Sequence, residues 1–150
     1  MKIRKIFVFY VLVGVMVSSL PWIPALTVSQ AAEKENSNIR HALVIGNSQY
    51  THADPLLTPA NDTRAISSTL QQLGFEVNLI TDAHQQQLEQ AILEFGEQLR
   101  QHKGIGLFYY AGHGLQLHHR NYLLPTDFNP KTEEDVRYDA LPLTQLLVQM

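Results

Sequence analysis

Ile105-Gly-Leu-Phe-Tyr-Tyr-Ala111 is a compact apolar and aromatic run that leads directly into Gly112-His113-Gly114. A run of this length, with Gly104 before it and Gly112 after it, reads as a buried strand. Its aromatic weight suggests a central place in a sheet. Working back along the chain, Arg40-His-Ala-Leu-Val-Ile-Gly46 has the same build, an apolar centre closed by glycine, and Phe75-Glu-Val-Asn-Leu-Ile80 alternates as a strand does.

The segments between these strands carry helical spacing. Asn47 to Ala60 holds prolines and polar residues and reads as a long loop. Asn61-Asp62-Thr63 offers side-chain oxygens that can accept the free N–H groups of a first helical turn. Ile66, Leu70 and Leu73 then follow on one face, with Gly74 as a stop. After Thr81-Asp82, the residues Leu88, Ile92, Phe95 and Leu99 form a second stripe, and Gly104 ends it. Strands joined by helices of this length imply right-handed crossovers, a parallel sheet, and helices on both faces. From Gly112 to Asp139 the chain reads mostly as loop, with a short hairpin around Leu115 to Leu124. Leu143, Leu146, Leu147 and Met150 make a third amphipathic helix with neither a closing glycine nor a basic last turn.

Composition limits the chemistry. The chain has 150 residues and no cysteine, which excludes a disulfide scaffold, a thiolate metal site and a cysteine nucleophile within these residues. Lys2, Arg4 and Lys5 give residues 1–31 a charge of +3. The other 8 of the 11 basic residues and all 14 acidic ones lie beyond Ala31, leaving that part at −6. An acidic body without a basic run argues against a nucleic-acid footprint. The positive start, the apolar run from Ile6 to Leu20, Pro21 and Pro24, and the small residues Ser29 and Ala31 read as a signal peptide over residues 1–31, cut after Ala31 or Ala32. The alternative is a membrane anchor over residues 6–28, and it is the only membrane contact the sequence suggests. Either way the body is expected to be exported. Residues 32–38 form a polar lead-in.

In an open parallel sheet, ligands bind beyond the carboxyl ends of the strands, where Gly112-His113-Gly114 lies. A histidine there suits general acid–base work near neutrality. Flanking glycines allow sharp backbone turns and leave the Gly114 N–H unshielded, able to donate to a developing oxyanion. The plainer reading is a loop histidine that only makes a structural hydrogen bond.

Phe108-Tyr-Tyr-Ala-Gly-His-Gly114 resembles the histidine motif of the caspase and metacaspase group of cysteine peptidases, in particular its prokaryotic caspase-like members. Four more segments resemble the same family in the same order: Arg40-His-Ala-Leu-Val-Ile-Gly-Asn47, Pro59-Ala-Asn-Asp-Thr-Arg64, Leu73-Gly-Phe75 and Asn121-Tyr-Leu-Leu-Pro-Thr-Asp127. The resemblance covers about residues 39–150. It implies an α/β fold, a caspase-like three-layer sandwich with a mostly parallel sheet, incomplete at its C-terminal end. It also implies hydrolysis of peptide bonds in a protein or peptide substrate by a Cys–His dyad. His113 would be the catalytic histidine and the Gly114 N–H an oxyanion-hole donor. Asp62 matches an acidic residue of the S1 pocket, which favours Arg or Lys at P1; helix capping is its other reading. No cofactor is required for this chemistry. Relatives can depend on calcium, yet no calcium motif is present, since Glu133-Glu134-Asp135 reads as a solvated acidic turn. The family histidine precedes its cysteine by about 50 residues, which places the nucleophile near position 163, beyond Met150. The chain by itself is therefore expected to be inactive.

A non-catalytic caspase-like module that binds peptides or partners is the second function class. A third is a metal-dependent hydrolase on His113, His118 and His119, although their spacing matches no zinc pattern. His41, His52, His84 and His102 read as ordinary surface or loop residues, and Tyr109 and Tyr110 as strand residues packed against helices.

Overall fold

A computed structural model of the chain describes residues 39–102 and 104–150. The signal segment expected over residues 1–31 and the lead-in expected over residues 32–38 lie outside the described residues. Three strands, β1 (Arg40–Gly46), β2 (Phe75–Thr81) and β3 (Ile105–Ala111), form a parallel sheet in the order β2-β1-β3. Arg40 pairs with Phe75 on one side and Ile105 on the other, and Gly46 ends level with Thr81 and Ala111. The strand at the centre is therefore β1. The aromatic run expected there instead borders the described sheet. Its burial comes from the layers above and below it, which the sequence of a strand does not separate from burial by neighbouring strands.

The chain moves one way from β1 to β2 and the other way from β2 past β1 to β3. Two right-handed crossovers in opposite directions put their helices on opposite faces. Helix α1 (Pro59–Gln72) covers one face, where Leu70 joins Ala42, Val44, Tyr109 and Ala111. Helix α2 (Gln85–His102) covers the other, where Leu88, Ile92 and Phe95 meet Leu43, Ile45, Phe108 and Tyr110. Burying a side chain such as Phe95, 2% exposed, contributes about 1.5–3 kcal/mol. This is the three-layer arrangement the sequence leads one to expect.

Helix α1 begins earlier than expected. Pro59 occupies its first turn, where the missing N–H costs nothing and the fixed φ suits a helix. The N-cap is Thr58, and it makes no side-chain cap bond. The capping chemistry expected of Asn61, Asp62 and Thr63 is thus not used: Asn61 Oδ1 accepts from Arg64, and Thr63 Oγ1 donates to the Pro59 carbonyl at 2.7 Å. At the other end, Gly74 takes φ +80°, the left-handed conformation that closes a helix, and Leu73 turns out to solvent.

Beyond β3 lies a second, antiparallel sheet of β4 (Gly114–Leu117), β5 (Arg120–Leu123) and β6 (Leu141–Pro142). The expected hairpin is present. Its two-residue turn is His118-His119, with φ +48° and +62°. Both residues occupy left-handed positions that asparagine and glycine usually fill, and histidine is among the side chains that tolerate them. A one-turn helix, α3 (Val136–Asp139), and strand β6 occupy a stretch read as loop or left unassigned. Each is too short to show a period. Helix α4 (Leu143–Gln149) lies against α2, with Leu146 fully buried. Among the described residues, no helix is long and apolar enough to cross a membrane.

Candidate active site

The carboxyl ends of β1, β2 and β3 stand level, so the loops leaving them meet. The loop after β1 is the most heavily tied. The Asn47 amide donates to the Leu124 and Ala83 carbonyls at 3.1 and 3.4 Å, and its oxygen accepts the Ala83 N–H at 2.9 Å. One carboxylate oxygen of Asp82, at the end of β2, accepts the N–H groups of Ser48 and Gln49 at 2.7 and 2.9 Å. Asp82 itself sits at φ +52°, a conformation that aspartate tolerates better than most residues. The Thr51 N–H donates to the Thr126 carbonyl, and Leu56 N–H closes the loop onto Ser48. These bonds bring Tyr50 and Asp54 to the end of β3.

His113 is half-buried there. Its Nε2 lies 2.8 Å from the carbonyl oxygen of Asp54. A carbonyl oxygen only accepts, so this bond requires the proton on Nε2. In the neutral ring Nδ1 is then the basic nitrogen. The imidazole leans on the Tyr50 ring, with centroids 4.4 Å apart and the planes tilted by 56°. The backbone of His113 is held as well: its N–H donates to Tyr50 Oη at 2.7 Å, and its carbonyl accepts from Tyr110 Oη at 2.9 Å and from the Leu124 N–H at 3.0 Å. Burial pushes the Tyr50 hydroxyl up to about 12, and burial raises that of Tyr110 well above its usual value. Both are neutral hydroxyls at physiological pH.

Gly114 opens β4 opposite Leu123. Hydrogen-bonded and non-hydrogen-bonded pairs alternate along an antiparallel ladder. Since Leu124 donates to His113, the next pair, Gly114 with Leu123, is a non-hydrogen-bonded one, and the Gly114 N–H turns away from β5. The hairpin ladder therefore does not use that N–H. Asp62 is exposed in the first turn of α1. That turn packs over the end of β1, because a side chain added at Gly46 would meet Thr63 and the Pro59 carbonyl. His113, Gly114 and Asp62 therefore belong to one end of the sheet.

Other candidates separate from this group. His118 and His119 form the tip of the β4–β5 hairpin, while His113 precedes its base. Among the described residues, no group of three or more histidine, cysteine, aspartate or glutamate side chains could hold a metal ion. Glu133 and Glu134 are exposed, and Asp135 has a local task, accepting the Lys131 and Thr132 N–H groups at 2.9 and 2.8 Å. Those bonds, the one from Thr132 foremost, hold its carboxyl below the usual range. His52 and His84 are exposed and His102 half-buried. His41 corrects the surface reading: it is 3% exposed, inside the sheet's amino end. The sequence reasoning also passed over Tyr50 and Asn47, and it gave Tyr110 only a packing role. The usable signal was the polar Asn47 and aromatic Tyr50 just after the apolar run Ala42–Ile45 of β1.

Comparison with known proteins agrees with this geometry. A family model described as Caspase domain matches residues 39–148. Mucosa-associated lymphoid tissue lymphoma translocation protein 1 of Homo sapiens is 32% identical over 108 residues, covering 71% of this chain and 13% of that protein. Its Mus musculus homolog is 35% identical over 96 residues, covering 63% of this chain and 11% of that protein. The chain thus spans only a small part of the length of these relatives. With the histidine motif at the end of β3 and the match running from β1 into α4, the chain belongs to the caspase domain family of peptidases.

Proposed function

We propose that this domain is the histidine-bearing part of a cysteine-type endopeptidase that cuts peptide bonds after Arg or Lys. The observation that carries the reading is the bond from His113 Nε2 to the Asp54 carbonyl at 2.8 Å, which leaves Nδ1 as the base. In this reading Nδ1 takes the thiol proton, the thiolate attacks the scissile carbonyl carbon, and His113 returns the proton to the leaving amine. The Gly114 N–H donates to the oxyanion. Asp62, exposed near the same end of the sheet, attracts a basic P1 side chain. The chain holds no cysteine, so the nucleophile comes from residues beyond Met150. The basic start and apolar run of residues 1–31 support an exported protein. No cofactor takes part in these steps.

The second reading is a caspase-like module that binds peptides without cutting them. The coding sequence beyond Met150 separates the two. A strand followed by a cysteine within about 60 residues of His113 supports the peptidase, and another residue in that place supports the module. The purified chain of 150 residues should not hydrolyse Arg- or Lys-containing peptides. Turnover by this chain alone would overturn the cysteine mechanism.

A further inference from the structure

The proposed chemistry uses the ring of His113 and leaves two buried tyrosines beside it without a task. The glycines that flank His113 add no side-chain packing to hold its backbone. Besides the Leu124 N–H on its carbonyl at 3.0 Å, that backbone is held by the two phenol hydroxyls. Tyr50 Oη accepts the His113 N–H at 2.7 Å, and Tyr110 Oη lies 2.9 Å from both the His113 and Leu124 carbonyls. The phenol protons are accounted for. The Tyr110 proton goes to one of those carbonyls, and the Tyr50 proton goes to Tyr110 Oη at 3.3 Å or to the Leu124 carbonyl at 3.4 Å. Tyr50 can therefore accept from His113 while its own proton is used elsewhere. Gly112 fits the same scheme, because a Cβ there would lie 2.6 Å from both hydroxyls. The residue before the histidine is small because the two hydroxyls occupy that space.

From this geometry we infer that Tyr50 is a positioning residue for His113: with Tyr110 it clamps the histidine backbone between two phenol hydroxyls, so that the ring keeps Nε2 on Asp54 and presents Nδ1 to the reaction. The inference rests on His113 being the catalytic histidine.

The test uses the full chain labelled with 15N-histidine and reads the tautomer of each imidazole by NMR. Wild type should show His113 as the Nε2–H tautomer. Tyr50→Phe keeps the ring and removes the acceptor, and should shift the His113 tautomer ratio about fivefold toward Nδ1–H, the effect of losing one net hydrogen bond. The amide spectrum of the other residues should stay folded. An unchanged tautomer ratio in folded Tyr50→Phe overturns the inference. If that variant does not fold, hydrogen exchange in wild type decides: slowed exchange of the His113 amide supports the clamp, and exchange at the rate of an open loop overturns it. Neither readout depends on peptide hydrolysis. A failed peptidase reading would therefore leave the clamp standing, and a failed clamp would leave His113 free to be catalytic without it.

Discussion

Two histidines sit at opposite ends of the same parallel sheet, and their surroundings differ in kind. His41, at the amino end of β1, is 3% exposed, with Nδ1 3.5 Å from a Glu76 carboxylate oxygen and the His102 ring 5.1 Å away. Its Nε2 is buried and has no hydrogen-bond partner among the described residues. His113, at the carboxyl end of β3, has its backbone N–H, its carbonyl and one ring nitrogen all bonded. The carboxyl ends of parallel strands open into loops that can bring carbonyls and hydroxyls to a side chain from several directions. Among the described residues, the amino end of β1 offers His41 neighbouring strands and the end of α2. A histidine acquires a defined proton at the first end and a desolvation cost at the second.

The largest expected effect sharpens the carboxyl-end half of this contrast. In a form of the protein that carries the nucleophile, His113→Ala should lower kcat by about 10²–10⁴ with little change in KM. A wild-type kcat would remove His113 from the mechanism. Next comes Gly112→Ala, which drives a methyl group into both tyrosine hydroxyls. Overpacking of this kind should cost about 1–3 kcal/mol, read as a lower denaturation midpoint. An unchanged midpoint would mean that the two hydroxyls can move aside at little cost.

The amino end should show itself through pH. Burial foremost, with the positive form of His102 in the same direction and Glu76 opposing, lowers the His41 value below 6.5. The unfolded chain then binds the proton first. The contribution of neutral His41 is fully present above about pH 6.5 and is lost as pH falls below it, by no more than about 1.4 kcal/mol per pH unit. His41→Gln should flatten the stability profile in that acid range. An identical slope would assign it to other groups. The smallest effect is expected at exposed Asp62. Asp62→Asn should weaken selectivity for basic P1 residues by about 0.2–1 kcal/mol, measured as ratios of kcat/KM, and leave the unfolding midpoint nearly unchanged. An unaltered P1 profile would remove it from the substrate pocket.

Much of the fold was legible because α1, α2 and the strands carry their own period. Leu88, Ile92 and Phe95 are buried as their spacing demands. The errors fall where local pattern is ambiguous. A helix starting on Pro59 looks like loop until the value of proline in a first turn is considered, and α3 and β6 are shorter than any period. Among the described residues β3 pairs with β1 alone, and its apolar run does not tell burial by helices from burial by strands. His41 was misjudged because its alternation with apolar neighbours is lost in a strand buried on both faces.

The sequence alone determined the alternation of strands and helices, the place of His113 just past a strand, and the absence of a thiol from these residues. These follow from residue type and spacing, which act locally. Which nitrogen of His113 carries its proton was decided only by tertiary structure. The partner is the backbone carbonyl of Asp54, 59 residues away in the chain, and a backbone carbonyl leaves no mark on residue identity. The two tyrosine hydroxyls are a similar case. Their aromatic rings explain their burial, and only the meeting of the β1 and β3 ends shows what their oxygens hold.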